Sequence, residues 1–177
     1  MGDGDGGRLG VVVGGRDLDP VRAERVRVSV VVSFVPDDFV VPRSLVTGAF
    51  WLEPLGPEHN EGDYRAWTSS IEHIRATPGF DGQRWPTPMS LAENLGDMER
   101  HASDFAARSG FTYTVRASGS DEIIGCVYIY PLPDGPGADV RSWVSADHAP
   151  LDVALHEAVS EWLRSAWPLS SVTYAPR

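Results

Sequence analysis

The apolar periodicity of this chain changes twice, and those changes limit its fold more than any single motif does. Between Ser90 and Gly110 the residues Leu91, Leu95, Met98, Ala102 and Phe105 recur at helical spacing. From Phe111 to Val144 the pattern alternates or runs continuously, and from Leu151 onward it is helical again. A repeat near 3.6 residues builds one face of a helix, whereas a repeat of two builds one face of a strand. Consecutive strands framed by helices predict an α+β domain.

The elements can be placed in order. Ala49 to Leu55 reads as a first strand, stopped by Pro54 and Gly56, and Pro57 suits the first turn of a helix. Tyr64, Trp67, Ile71 and Ile74 then share one helical face. Thr77 to Pro88 is interrupted by Pro and Gly at spacings that neither a helix nor a central strand tolerates, which predicts a long loop. Ser90 and Glu93 form a capping-box pair at the next helix start, and Gly110 is placed to end that helix in the left-handed conformation.

Beyond Gly110, Phe111, Tyr113 and Val115 fall on one face of a strand with Thr112, Thr114 and Arg116 on the other. Glu122 to Tyr130 is apolar on both faces and reads as a central strand, hairpin-paired with its predecessor through Ser118 to Asp121. Val140 to Val144 gives a third strand, Leu151 to Trp162 a helix ended by Trp167-Pro168, and Ser171 to Tyr174 a last strand. The expected order is β-α-α-β-β-β-α-β.

Composition bounds function. The chain has 177 residues, about the size of one domain, and a formal net charge of −10. Such a balance opposes general binding to nucleic acid, which requires clustered basic residues, and an acidic surface suits cationic partners such as amines. The run Val26 to Val35 is short for a membrane span and carries Arg27, so no membrane partner is expected, and cytoplasmic residence is the default. The single Cys126 lies in a buried strand pattern, where a core thiol is expected rather than a nucleophile. The spacing of His148 and His156, with Asp147 and Asp152 nearby, does not by itself exclude a metal, but zinc sites usually show tighter signatures and no metal site is expected. The Gly- and Asp-rich beginning has little to bury.

The element order resembles that of the GNAT-superfamily N-acetyltransferases. Phe50-Trp51-Leu52-Glu53-Pro54-Leu55 with Pro57-Glu58-His59 resembles their first strand and helix start, and Ile124-Gly125-Cys126-Val127-Tyr128-Ile129 their central strand. The resemblance spans about Val46 to Tyr174. It implies a mixed, mostly antiparallel central sheet with helices on both faces. Residues 35–177 would form this GNAT-like domain, and residues 1–34 would be a disordered or non-native extension or contribute one extra strand. It also implies acetyl-CoA as cofactor, transfer of its acetyl group directly to a small-molecule amine, and a splayed strand followed by a helix N-terminus that holds the diphosphate.

On that resemblance, Trp143, Val144, Ser145, His148 and Leu151 would bind the cofactor. Tyr174 would be the general acid and Glu72 a base, while His73, Arg75, Arg84 and Trp85 would shape the acceptor pocket. The sequence departs from the family where the diphosphate would sit. Ser145 to Asp152 has no Gly, loses one amide at Pro150 and carries Asp147 and Asp152. The alternative expectation is therefore a non-catalytic GNAT-fold module for ligand binding or interaction that has lost the pyrophosphate loop. The chain stops soon after Tyr174, which would leave an open sheet edge for a homodimer.

Overall fold

The computed structural model describes residues 34–133 and 136–177. Six strands form one sheet in the spatial order of the sequence: β1 (Leu45–Val46), β2 (Phe50–Pro54), β3 (Phe111–Ala117), β4 (Ile123–Pro131), β5 (Ala138–Val144) and β6 (Val172–Tyr174). The helices are α1 (Asn60–Thr68), α2 (Ile71–Ala76), α3 (Leu91–Ala107) and α4 (Asp152–Ala166), with 3₁₀ turns at Pro57–His59 and Ala146–Leu151. Neighbouring strands are antiparallel except β5 and β6, which run parallel because α4 carries the chain back between them.

The alternation of β3 and β4 divides the buried residues into two layers. Phe111, Tyr113, Val115, Val127 and Ile129 face Leu155, Val159 and Trp162 of α4. On the other side, Cys126 and Trp143 pack with Trp67 of α1, Ile74 of α2 and Met98 of α3. Helices thus cover both faces, as an α+β sheet with two apolar sides requires. Gly125 is the third residue of β4, where a Cβ would stand 2.2 Å from the carbonyl oxygen of Trp143. Its lack of a side chain is what lets β5 approach there.

Two differences from the sequence pattern concern helix α3. Leu91 is 40% exposed while Asn94 and Met98 are buried, so the inward face is rotated from the apolar stripe. The helix ends on Arg108, not Gly110, with Arg108 at φ 59. Its guanidinium donates to the carbonyls of Pro36 and Phe39 at 2.6 and 2.9 Å, which offsets the cost of a left-handed non-glycine residue. Gly110 instead faces the ring of Tyr130, 2.2 Å from where a Cβ would be.

The predicted helical face from Tyr64 to Ile74 is carried by two helices. They break at Ser70, whose hydroxyl accepts the N–H of Ala146 at 2.9 Å beyond the end of β5. The two-residue edge strand β1 was not marked by any apolar pattern. The expected N-terminal extension lies outside the described residues apart from Phe34, whose ring stacks on Phe111 at 5.8 Å.

Strand β6 pairs through Val172, Thr173 and Tyr174 with Ala138, Asp139 and Val140. Strand β5 continues to Val144, so Arg141 to Val144 have no strand neighbour on that side among the described residues. The two strands therefore open into a wedge that faces the start of α4.

Candidate functional site

Two features flank β5. One is a cavity of about 450 Å³ between α1, α3, the loop after α2 and the outer residues of β4 and β5. The loop from Thr77 to Ser90 folds over this cavity because its aromatic residues are drawn into the core layer that holds Trp67, Met98 and Trp143. Trp85 lies 6.0 Å from Trp67, 5.8 Å from Phe80 and 6.0 Å from Trp143, measured between ring centroids. Arg75 secures the loop by donating to the Pro86 carbonyl at 2.9 Å. Phe80, Trp85 and Tyr128 form apolar walls.

The polar lining comes from the helices. Asp63 of α1 is 3% exposed and accepts from Asn94 Nδ2 at 3.2 Å. Asn94 is fixed in turn by Trp67 Nε1, which donates to its Oδ1 at 3.0 Å. Burial is the chief cause that raises the Asp63 carboxyl from its ordinary 3.8 to about 6. His101 of α3 shares Nδ1 with the hydroxyls of Tyr130 and Thr112 at 2.8 and 3.0 Å, and burial lowers it to about 4, so it is neutral near pH 7. The two arginines on the cavity wall are already matched: Arg100 with Asp97 at 3.1 Å and Arg141 with Asp139 at 2.8 Å. Asp63 is the carboxylate of this lining with no basic partner among the described residues.

The second feature is the wedge. Arg177 fills it, with its side chain 3% exposed. Its Nε donates to Asp152 Oδ2 at 2.6 Å, and its terminal nitrogens donate to the carbonyls of Ser142, Pro78 and Ala175 at 2.8, 3.2 and 2.9 Å. Asp152 is the first residue of α4, where unpaired amides and the helix dipole favour negative charge. The Tyr174 hydroxyl is hydrogen-bonded to Ser142 Oγ, its ring lies 4.2 Å from His156, and burial pushes it up to about 12.

Solved structures share this architecture. A putative ribosomal-protein-serine acetyltransferase from Vibrio cholerae superposes with a TM-score of 0.59 at 13% identity, covering 74% of this chain and 72% of that one. A ribosomal-protein-S5-alanine acetyltransferase from Vibrio fischeri gives 0.58 at 12% identity over 74% and 72%. This is the GNAT-like N-acetyltransferase fold. The microcin C7 self-immunity acetyltransferase MccE, solved with acetyl-CoA and AMP, gives 0.53 at 14% identity over 72% and 70%. No protein-family model and no curated protein matches the chain. At these identities the likeness concerns the GNAT fold, and function has to be argued from the residues.

The residues at the wedge do not fit acetyl-CoA in this conformation. The place a diphosphate would take at the start of α4 holds the Asp152 carboxylate, and the mouth of the splay holds the guanidinium bound to it. Pro150 offers no amide, and the Asp152 N–H is turned back to the Ala149 carbonyl. The Ser145 amide, expected near the thioester, donates to Ile124 of β4 at 2.7 Å and so points away from the wedge.

The other expected cofactor residues are similarly engaged. His148 Nδ1 is 2.9 Å from Ser145 Oγ, Leu151 packs against the upper core, and Trp143 is fully buried and donates to Tyr128 at 3.2 Å. Val144 shares its alternation with Ser142 and thus turns its N–H towards the wedge, beyond the reach of β6.

The expected acceptor residues divide. Trp85 lines the cavity, whereas Glu72, His73, Arg75 and Arg84 do not. Glu72 is 87% exposed and pairs with Arg75 at 2.9 Å on the outer face of α2, and Arg84 is exposed. A signal for Asp63 was present: Asp63, Trp67, Ser70 and Ile74 recur at helical spacing and all are buried, so a carboxylate sat in an inward stripe. Arg177 carried no local signal, since apart from Ala175 its partners lie 25 to 99 residues away.

Asp63 links stability to pH with a definite sign. A carboxyl raised to about 6 keeps its proton in the folded chain where the unfolded chain has lost it, so its burial lowers stability above pH 6 and the loss disappears towards pH 4. Asp63→Asn should therefore raise the unfolding free energy at pH 7.5 by up to about 3 kcal/mol, read as a higher urea midpoint. The gain should fall to about a third at pH 4.5, and an equal gain at both pH values would rule out this origin.

Proposed function

We propose that this protein is a GNAT-fold ligand-binding module that takes a small amine into the cavity beside Asp63 while its acyl-donor wedge is closed. The observation that carries the reading is Arg177, whose side chain occupies the space between β5 and β6 and is bound to Asp152 at the helix start. Opening the wedge would separate a largely buried ion pair and leave Asp152 at the helix start without its basic partner. The cavity supplies what an amine needs: one buried carboxylate for the charge and aromatic walls for the organic body. The net charge of −10 favours the approach of a cation.

A second reading has support of its own. The short pairing of β6 leaves the Val144 amide facing the wedge, where it would polarise a thioester carbonyl if Arg177 withdrew. On that reading the protein is an acetyl-CoA-dependent N-acetyltransferase that transfers directly to the amine, and the donor must first displace the Arg177–Asp152 pair. No described helix is long and apolar enough to cross a membrane, and we place the protein in the cytoplasm. We also propose a homodimer through the outer edge of β6, where Val172 is 41% exposed and no described strand pairs.

Calorimetric titration separates the two readings. Acetyl-CoA at millimolar concentration should give no binding heat, while phenethylamine should bind without it. Saturable binding of acetyl-CoA would favour the enzyme, and no binding of either would remove the proposal. Sedimentation equilibrium should give twice the chain mass; a monomer throughout the micromolar range would exclude the dimer.

A further inference from the structure

The cavity has a second polar end besides Asp63, and the hydrogen bonds there fix which atom it offers to a ligand. The Tyr130 hydroxyl lies 2.8 Å from Asp104 Oδ2 and 2.8 Å from His101 Nδ1. Its single proton goes to the carboxylate, which only accepts, so its oxygen turns a lone pair to the imidazole. An unprotonated Nδ1 at that distance would set two lone pairs against each other. His101 therefore carries its proton on Nδ1, and Nε2 is left as the acceptor. Burial keeps the ring neutral at pH 7.5 by lowering it to about 4.

The two polar ends belong to one cavity. Asn94, which holds Asp63, and His101 are seven residues apart on α3, so they are separated by about two turns, on the order of 10 Å along the helix. One extended ligand can meet the carboxylate with one end and Nε2 with the other. Beside Nε2 stands Arg100, whose Nη2 donates to Asp97 at 3.1 Å and lies 3.5 Å from Nε2, too long for a firm bond.

That neighbour decides what the outer end of the ligand must be. A carboxylate has no proton to give and would turn its lone pairs on Nε2. A second ammonium would stand against the Arg100 guanidinium. A hydroxyl suits both, since it donates one hydrogen bond and accepts another. Resting on the reading that the cavity binds an amine beside Asp63, we infer that His101 and Arg100 form a hydroxyl subsite and that the ligand class is a hydroxylated amine. Its ammonium lies at Asp63, and its hydroxyl donates to His101 Nε2 and accepts from Arg100 Nη2.

The test is calorimetry on the full chain at pH 7.5 with phenethylamine, tyramine, the meta-hydroxy isomer of tyramine, and 4-(2-aminoethyl)benzoate, which puts a carboxylate in place of the hydroxyl. The better of the two hydroxylated isomers should bind about threefold to tenfold tighter than phenethylamine, as one hydrogen bond in a buried site allows, and the benzoate should bind more weakly than phenethylamine. In His101→Phe, checked for native circular dichroism, the ratio of the hydroxylated amine to phenethylamine should fall to about one. Nitrogen-15 spectra of the wild-type imidazoles should show a ring in the Nδ1–H tautomer whose Nε2 resonance moves with the hydroxylated amine and stays with phenethylamine. Equal affinities for phenethylamine and both hydroxylated isomers, tightest binding of the benzoate, or an advantage that survives His101→Phe would overturn the inference and leave the amine site standing. Failure of every amine to bind would remove the amine reading and the subsite with it.

Discussion

The guanidinium of Arg177 stands where three parts of the domain meet: the splayed half of β5 at Ser142, the first residue of α4 at Asp152, and the loop after α2 at Pro78. Each contact joins the buried guanidinium to an oxygen acceptor. Charge-assisted bonds of this kind are stronger than neutral ones, and their worth rises away from water. The pair also brings negative charge to a helix start and polar contact to an unpaired stretch of strand edge.

Closing the wedge has consequences on the other face of β5. The Pro78 carbonyl is held by Arg177, so the loop that carries Phe80 and Trp85 is anchored at one end by the wedge. At the other end Arg75 holds the Pro86 carbonyl, and Ser90 caps α3. The aromatic wall of the cavity is therefore set by contacts outside it. A domain arranged in this way has its polar site supported by a second layer of fixed residues, as selective binding requires. The buried Asp63 is the counterpart: a group whose burial lowers stability near neutral pH.

Much of the architecture was legible because it rests on local periodicity. The alternation of Phe111, Tyr113 and Val115, the unbroken apolar run through Val127 and the capping pair Ser90–Glu93 each report contacts within a few residues, and each is present in the structure. Tertiary demands overrode the pattern at three points. Ser70 interrupts a continuous helical face because its hydroxyl serves Ala146, Arg108 takes the left-handed position in place of Gly110, and Asn94 displaces Leu91 inward. The site was less legible for the same reason. Trp85 announced itself by its Pro- and Gly-rich loop, and Asp63 lay within a buried stripe. Asp152 and Arg177 find each other through the fold alone, and no spacing in the sequence records that meeting.

A double-mutant cycle on Arg177 and Asp152 tests the central claim most directly, with Arg177→Met, Asp152→Asn and the double variant compared by urea unfolding at pH 7.5. If the wedge is held shut by this pair, each single change will destabilise the domain and the coupling will be about 2 kcal/mol or more. Coupling below about 0.5 kcal/mol would mean that the two side chains act independently, and the wedge would then be closed by something other than their bond.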